Sequence, residues 1–262
     1  MTSFNKRLYD ATGYRLLKTH RHYEIKEPLL ITYEGISQKD IITNDKFIYF
    51  NFDNYTYLGE WLENYKNIIP TDLGGNAPPC KCKIVTRKDM WGSHELGCAH
   101  SEWNRRASQW FRKIAALNYA LTLNPEKIVF LDCDVMFLRN LPIKLWQGIF
   151  ANFGIIYHQG KYRQRTGNGV ESGIIGFSQK GGGFEFLERV INYFNVGAFK
   201  QQKRWDDSYA FRLVLEKTPK HKMLRRDLVT IGRRTSHVVN LGLLKDYLRH
   251  DKGWHLRHFK IV

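Results

Sequence analysis

The sequence predicts a single α/β domain, residues 1–262, with a mostly parallel central sheet flanked by helices. Short apolar segments alternate with amphipathic helical segments along the chain, as in a parallel sheet with crossover helices. The 262 residues are enough for one large core, and 43% of them are hydrophobic. No repeat, low-complexity linker, signal peptide or bilayer-length apolar run interrupts this pattern.

The first half of the chain contains two predicted helices and three predicted strands. The first helix, KRLYDATGYRLLKT, is followed by the apolar segments LLITYEG and FIYFNF. Residues 74–100 form a loop insertion, because Gly and Pro punctuate them. Residues 102–122 carry apolar side chains at spacings of three and four, which predicts a helix that ends before Asn124-Pro125. The strand KIVFLDCDVMFL, residues 127–138, follows at once.

The second half repeats the alternation. A polar basic loop at 158–169 precedes a buried strand at 171–178, and the spacing of apolar residues predicts helices at 184–194 and 205–217. A basic C-terminal tail occupies residues 242–262. The whole chain has 41 Lys and Arg against 25 Asp and Glu, a formal charge of +16. Such an excess concentrates polyanions, so we expect an acidic partner or substrate.

Two aspartates, Asp132 and Asp134, stand where the apolar strand KIVFL ends. Ligands of open parallel sheets bind at the carboxyl ends of the strands, and residues two apart in an extended chain share a face. Adjacent carboxylates repel each other unless a cation lies beside them, and Mg²⁺ or Mn²⁺ suits oxygen ligands. The pair therefore predicts a metal site. The alternative is that one aspartate caps a turn while the other is solvated.

The segment LDCDV resembles the DxD motif of nucleotide-sugar-dependent glycosyltransferases with the GT-A fold. Lys113 on the preceding helix, then ESGIIGF and WDDS, resemble further stretches of that family in the same order. The residues His250-Asp251-Lys252-Gly253 resemble the start of the C-terminal HxxGxxKPW motif of the glycogenin-like branch, although the KPW half is absent here. The resemblance implies a single GT-A-type domain with Asp132, Asp134 and His250 as metal ligands.

The resemblance also implies a donor site for a nucleotide sugar, with a UDP-hexose as the expected donor. Either Thr2 and Ser3 are the remnant of the strand whose end contacts the nucleobase, or the true start of the chain lies upstream. Asp132, Lys113, Lys252 and Arg257 would contact the donor through the metal or the phosphates. His237 is the alternative third metal ligand. The transfer implied is that of a hexosyl group to a hydroxyl acceptor, with Mn²⁺ or Mg²⁺ as the cofactor.

Three acidic residues, Glu171, Asp206 and Asp207, are candidates for a catalytic role. An inverting enzyme needs a base near the acceptor hydroxyl, whereas a retaining enzyme could dispense with a strong one. Each of the three could instead hold donor-sugar hydroxyls or cap the helix at 207–217. Both inversion and retention at the anomeric carbon are compatible with these residues.

The cysteines show no secreted disulfide framework, which favours a reducing, cytoplasmic setting (the host cytosol if the protein is viral). Cys80, Cys82, Cys98 and His100 have suitable side chains for a structural Zn²⁺ site, although C-x-C is tighter than a usual zinc knuckle. Four unrelated residues are the alternative.

The excess positive charge favours an anionic acceptor. DNA carrying hydroxymethylated pyrimidine bases is favoured over a lipopolysaccharide or other surface glycan. In the loop 158–169, Lys161, Arg163 and Arg165 would form an acceptor clamp or a lid over the donor, or a solvated loop. An inactive nucleic-acid-binding module built on a glycosyltransferase fold is the remaining alternative.

Overall fold

A computed structural model describes residues 1–69, 104–165, 169–219, 221–229, 240 and 242–250 of the chain. Its N-terminal sheet contains three parallel strands in the order β1-β2-β3. These are β1 (Thr2–Asn5), β2 (Leu29–Glu34) and β3 (Phe47–Asn51). The predicted apolar segments at 29–35 and 47–52 are thus confirmed as strands.

A second sheet has the order β4-β7-β6-β8. Its strands are β4 (Lys127–Leu131), β6 (Ile155–His158), β7 (Glu171–Ser178) and β8 (Arg225–Asp227). β7 runs antiparallel to β4 and β6, whereas β8 runs parallel to β6. The Leu131 N–H donates to the Met1 carbonyl at 2.9 Å, and the Met1 ammonium donates to the Val129 carbonyl at 2.6 Å. These two bonds place the residue before β1 beside β4, so the edges of the two sheets meet at this point.

Helices cover this sheet on both faces, which confirms the predicted α/β class with a largely parallel sheet. They are α1 (Lys6–Leu8), α2 (Tyr14–His22), α3 (Thr56–Tyr65), α4 (Ala107–Thr122), α5 (Ile143–Phe150), α6 (Gly160–Arg165), α7 (Gly183–Asn195) and α8 (Asp207–Lys217). A π-helical turn at Tyr9–Gly13 joins α1 to α2, and 3₁₀ turns occupy Gln38–Asp40, Phe52–Asn54, Asn104–Arg106 and Ala198–Gln201. None of the helices in these ranges combines the length and the apolar run that a bilayer crossing needs.

Helix α4 passes through the largest apolar core. Its residues Ala107, Phe111, Ile114 and Leu117 are fully buried there, which confirms the predicted amphipathic helix. α4 contacts β1 and β4 on one side and α7 and α8 on the other. The helix is therefore fixed by apolar contacts along its length, and a polar side chain on its inner face is held rigidly.

Three predicted elements need correction. The predicted strand at 127–138 is divided into two strands, Lys127–Leu131 and Val135–Phe137, by a turn at 132–134. The first helix is divided by the π turn and continues to His22, beyond the predicted end at 19. The segment 158–169 is not simply a loop: it begins with the end of β6 and contains α6. Asp227 makes this possible, because its carboxylate accepts the Gln159 and Gly160 backbone N–H groups at 3.1 and 2.7 Å, at the turn into α6. The insertion 74–100 and residues 251–262 of the tail lie outside the described residues.

A third, two-stranded pairing completes the framework of the site. β5 (Val135–Phe137) pairs antiparallel with β9 (Leu248–His250), and α2 packs against β5. The Thr19 hydroxyl of α2 accepts the Phe137 N–H at 3.1 Å. Residues far apart in sequence are thereby brought against the end of β4.

Candidate metal centre and its carboxylate partners

Asp132 and Asp134 lie in a tight turn between β4 and β5. The Asp132 N–H donates to the Gly173 carbonyl at 2.8 Å, and the Val135 N–H donates back to the Asp132 carbonyl at 3.0 Å. The chain therefore turns here, which contradicts the extended conformation that the sequence predicts for these residues. The turn still leaves both carboxylates in one site at a strand end, with side chains 28% and 22% exposed.

His250 reaches this turn through strand pairing. In the β5–β9 ladder, His250 lies directly opposite Val135, the residue after Asp134. Its Nε2 is 2.7 Å from Asp134 Oδ1 and 3.9 Å from Asp132 Oδ2. One ligand atom from each of the three residues lies within 4.8 Å of the others. The three predicted metal ligands are thus brought together from one turn and one distant strand.

Gly173 supplies the space for this arrangement. A Cβ atom at Gly173 would lie 2.3 Å from His250 Cε1, 2.7 Å from His250 Nδ1 and 3.1 Å from Asp132 Oδ2. Any side chain here would therefore push the imidazole or the carboxylate out of place. Gly173 therefore contributes to the site because it has no side chain.

The local electrostatics suit a cation. Burial lowers the pKa of His250, but the hydrogen bond and charge of Asp134, with further charge from Glu171 and Asp132, raise it above its usual value. Burial raises the pKa of Asp132, Lys113 lowers it, and Asp134 raises it further. Two carboxylates and one imidazole form a donor set that suits Mn²⁺ and, less well, Mg²⁺.

Lys113 lies on the inner face of α4 with its side chain 7% exposed. Its Nζ is 2.7 Å from both Asp132 Oδ1 and Asp207 Oδ2. It also donates to the Ser172 carbonyl and hydroxyl at 3.1 and 3.2 Å. Burial lowers the pKa of Lys113, but the two carboxylates outweigh burial and raise it. Lys113 is thus fully engaged within the protein.

The three acidic candidates are all buried and all paired with a basic group. Asp207, at the start of α8, pairs with Lys113. Asp206 is the N-cap of α8, accepting the Tyr209 N–H at 3.1 Å, and pairs with Arg204 at 2.8 Å. Burial raises the pKa of Asp206 and Arg204 lowers it. Glu171 pairs with Arg163 at 3.1 Å.

The predicted clamp residue Arg163 is used inside the protein. Besides Glu171, its guanidinium donates to the Gly169 carbonyl at 2.7 Å, the Val170 carbonyl at 3.3 Å and the Ser208 hydroxyl at 3.2 Å. It therefore fastens α6 to the starts of β7 and α8 instead of facing an acceptor. Lys161 is exposed on α6. The side chain of Arg165 lies outside the described part of the structure.

Thr2 and Ser3 form the beginning of β1, and their contact with a nucleobase stays a prediction. Thr2 is fully buried and Ser3 is half-buried. The other predicted ligands lie outside the described residues; they are Lys252, Arg257 and His237, together with Cys80, Cys82, Cys98 and His100. Cys133 is free and buried between the two aspartates.

The sequence did not single out Gly173, Ser172, Arg163 and Arg204 for the roles they have here. Ser172 and Gly173 lie inside the predicted strand ESGIIGF, so the sequence predicts their place in the sheet. Their roles depend on Lys113 and His250, which approach them only in the folded chain. Arg163 and Arg204 carried no signal beyond their charge. Each is identified only by the carboxylate it faces.

No protein-family profile matches the chain, and no curated protein sequence matches it either. Among solved structures, it is similar to mouse xyloside xylosyltransferase 1 in its apo form, with 11% identity over 87% of this chain and 83% of that one, and a TM-score of 0.45. It is also similar to the glycosyltransferase GlyE of Streptococcus pneumoniae TIGR4 (12% identity, 86% of this chain, TM-score 0.41), of which it spans 44%.

A third similar structure is the galactosyltransferase LgtC in complex with donor and acceptor sugar analogs. Here the identity is 11% over 81% of this chain and 68% of that one, with a TM-score of 0.40. These solved structures are glycosyltransferases, the class that the LDCDV motif resembles. With TM-scores below 0.5 the likeness is remote, so the function proposed below rests on the side chains themselves.

Proposed function

We propose that the protein is a metal-dependent glycosyltransferase that moves a hexosyl group from a nucleotide sugar, a UDP-hexose, to a hydroxyl acceptor. The observation that carries this proposal is the convergence of Asp132, Asp134 and His250, with their ligand atoms within 4.8 Å. These three come from a turn and a distant strand, so chance proximity along the chain does not explain them. The site lies at a strand end, where α/β proteins bind their ligands.

The donor set and its surroundings fit Mn²⁺ or Mg²⁺. Asp132 and Asp134 would supply carboxylate oxygens and His250 its Nε2, and the space left by Gly173 keeps the imidazole close to both. Such an ion, when bound, supplies positive charge that stabilises a diphosphate leaving group. Asp132 and Asp134 remain partly exposed, so a nucleotide diphosphate has access to this edge.

Lys113 supports the proposal as a positioning residue. Its three N–H donors are directed at Asp132, Asp207 and Ser172, so it has no donor left for a phosphate. By fixing Oδ1 of Asp132, it leaves Oδ2 facing His250. Positive charge at the leaving diphosphate would then come from the ion and from Lys252 or Arg257, as the motif resemblance implies.

The acidic residues fit positioning better than proton abstraction. A general base must present a lone pair to the acceptor hydroxyl. Glu171, Asp206 and Asp207 are each buried and each paired with a basic side chain. We propose that Asp207 holds Lys113 and Asp206 caps α8. A transfer with retention, which needs no strong base, suits this arrangement.

For the acceptor we propose a polyanion with a free hydroxyl, and DNA carrying hydroxymethylated pyrimidines is the first candidate. The support is the net charge of +16, because cationic surfaces gain affinity for DNA by releasing its counterions. Because Arg163 is engaged internally, the proposed clamp on α6 rests on Lys161 and Arg165. An anionic surface glycan is the rival, and a binding module without activity is the remaining alternative.

The test measures Mn²⁺-dependent hydrolysis of UDP-glucose and other nucleotide sugars without acceptor, then transfer to hydroxymethylated DNA and to an anionic glycan. We expect hydrolysis that requires Mn²⁺ and disappears in the Asp134→Ala variant. Hydrolysis that persists with EDTA, or its complete absence with every donor, would overturn the proposed activity. Binding to DNA that does not weaken with salt would overturn the DNA acceptor.

A further inference from the structure

Glu171 differs from the other two buried acids in what it faces. One oxygen, Oε2, pairs with Arg163 at 3.1 Å. The other, Oε1, accepts the Gly173 N–H at 3.3 Å and lies 3.8 Å from Nδ1 of His250. The carboxylate therefore stands on the far side of the imidazole from Asp134, which is 2.7 Å from Nε2.

We infer that Glu171 is a positioning residue for the metal-ligating histidine, an inference that rests on the proposed function. A histidine that binds a metal through one ring nitrogen usually donates its other N–H to a carboxylate or carbonyl, which fixes the tautomer and the ring orientation. Glu171 Oε1 is placed to accept the Nδ1–H of His250 once the imidazole moves toward it by about 1 Å, given ordinary hydrogen-bond lengths. Nε2 is then left with its lone pair toward Asp132 and Asp134.

Arg163 makes Glu171 suitable for this role. The side chain of Glu171 is 4% exposed, and a buried carboxylate without a partner is costly. Arg163 balances that charge, and its bonds to Gly169, Val170 and Ser208 fix the guanidinium in place. A carboxylate with both oxygens bonded has little freedom to move. The contacts from Arg163 on α6 through Glu171 therefore set the orientation of His250.

The predicted use of Glu171 as a general base does not fit these contacts. Both of its oxygens face protein groups, and neither is directed at open space. The same carboxylate, however, explains why a histidine from the distant strand β9 keeps a fixed ring plane beside Asp132. Glu171 thereby links the strand β7 to the metal site through one ring atom.

The test compares Mn²⁺ affinity of the full chain by electron paramagnetic resonance titration, without nucleotide. In Glu171→Ala we expect binding to weaken by about 10- to 100-fold, the usual cost of losing such a partner. In Glu171→Gln the amide oxygen can still accept from Nδ1–H, so we expect most of the affinity to return. Glu34→Ala is the matched structural control, because it also removes a carboxylate that pairs with an arginine, Arg112, but belongs to neither the Glu171 nor the His250 contacts.

The outcomes separate this inference from the proposed function. Wild-type affinity in Glu171→Ala, or equal losses in Glu171→Ala and Glu34→Ala, would overturn the positioning role. If the wild type and Asp134→Ala bind Mn²⁺ equally, the metal site itself is wrong, and both proposals fail. If Glu171→Ala does not fold, Glu171→Leu, which keeps the side-chain volume but offers no acceptor, takes its place: a loss of affinity in Glu171→Leu that is absent in Glu171→Gln supports the role, whereas wild-type affinity in Glu171→Leu contradicts it.

Discussion

His250 and His20 are both 2% exposed, yet their surroundings give them opposite properties. Around His20, on α2, Phe47 and Phe137 lie edge-on at 5.1 and 5.4 Å between ring centroids, and Nε2 is 3.2 Å from the Glu27 carbonyl. Burial lowers the pKa of His20 to about 4, so the ring is neutral. Around His250, three carboxylates raise the pKa.

The difference shows that burial alone does not make a histidine functional. His20 fills apolar space and satisfies one backbone carbonyl, so its region behaves as core. His250 is surrounded by acidic groups that repel one another unless a cation joins them. The region of His250 is therefore stable only when its charged groups are balanced by one another. The region of His20 is stable only when the imidazole is uncharged. Four predictions test this contrast, from the largest expected effect to the smallest.

The Lys113→Met variant removes the ammonium that balances Asp132 and Asp207. Because it leaves buried carboxylates uncompensated, we expect the free energy of unfolding to fall by about 3–5 kcal/mol. Urea denaturation measures it, and Lys161→Met, at an exposed position of α6, is the control, with a change within about 0.5 kcal/mol. A loss below about 1 kcal/mol in Lys113→Met would show that these charges are not interdependent.

The Asp134→Ala variant removes the carboxylate nearest to His250. We expect Mn²⁺-dependent transfer to fall roughly 1000-fold, about 4 kcal/mol of barrier, because the ion loses a ligand. The unfolding free energy should change by less than about 1 kcal/mol, since this side chain is partly exposed. Asp246→Ala, an exposed acid of the same charge, should keep wild-type activity. Equal activity in the two variants would contradict the site.

The neutral state of His20 predicts acid sensitivity. Its folded pKa of about 4 lies below the unfolded value, so between pH 6.5 and 4 the unfolded chain binds a proton that the folded chain does not. Stability is therefore lost as pH falls through this window, by about 3 kcal/mol from this group, and not further below pH 4. We expect a shallower pH dependence of unfolding in His20→Gln than in the wild type. The exposed His22→Gln should leave the slope unchanged, and equal slopes in all three proteins would refute the assignment.

The Gly173→Ala variant tests the space that His250 occupies. The added methyl meets the imidazole at 2.3 Å, so we expect the ring to move and metal-dependent activity to fall about 10-fold, with a stability cost of about 1–3 kcal/mol. Gly148→Ala is the matched control, because a Cβ there meets nothing within 4 Å. An active Gly173→Ala enzyme with normal Mn²⁺ affinity would show that the ring position is not critical.

Much of this architecture could be read from periodicity. The strand ESGIIGFS is predicted at 171–178 and found at those residues. A short run of apolar and small residues between two turns favours a buried strand over other conformations. The helices at 184–194 and 205–217 are found within one or two residues. The α6 segment was missed because its helix is short and its entry depends on Asp227, which lies far along the chain.

The sequence alone determined the α/β class and the two aspartates at the end of an apolar strand, because periodicity and a local motif depend only on neighbouring residues. It also indicated His250, through a short motif resemblance. Only the tertiary structure decided what each charged group faces: Lys113 between Asp132 and Asp207, and Glu171 between Arg163 and His250. Hydrogen bonds and contact ion pairs form only when the two groups lie about 3–4 Å apart, and the chain brings these groups within that distance only by folding.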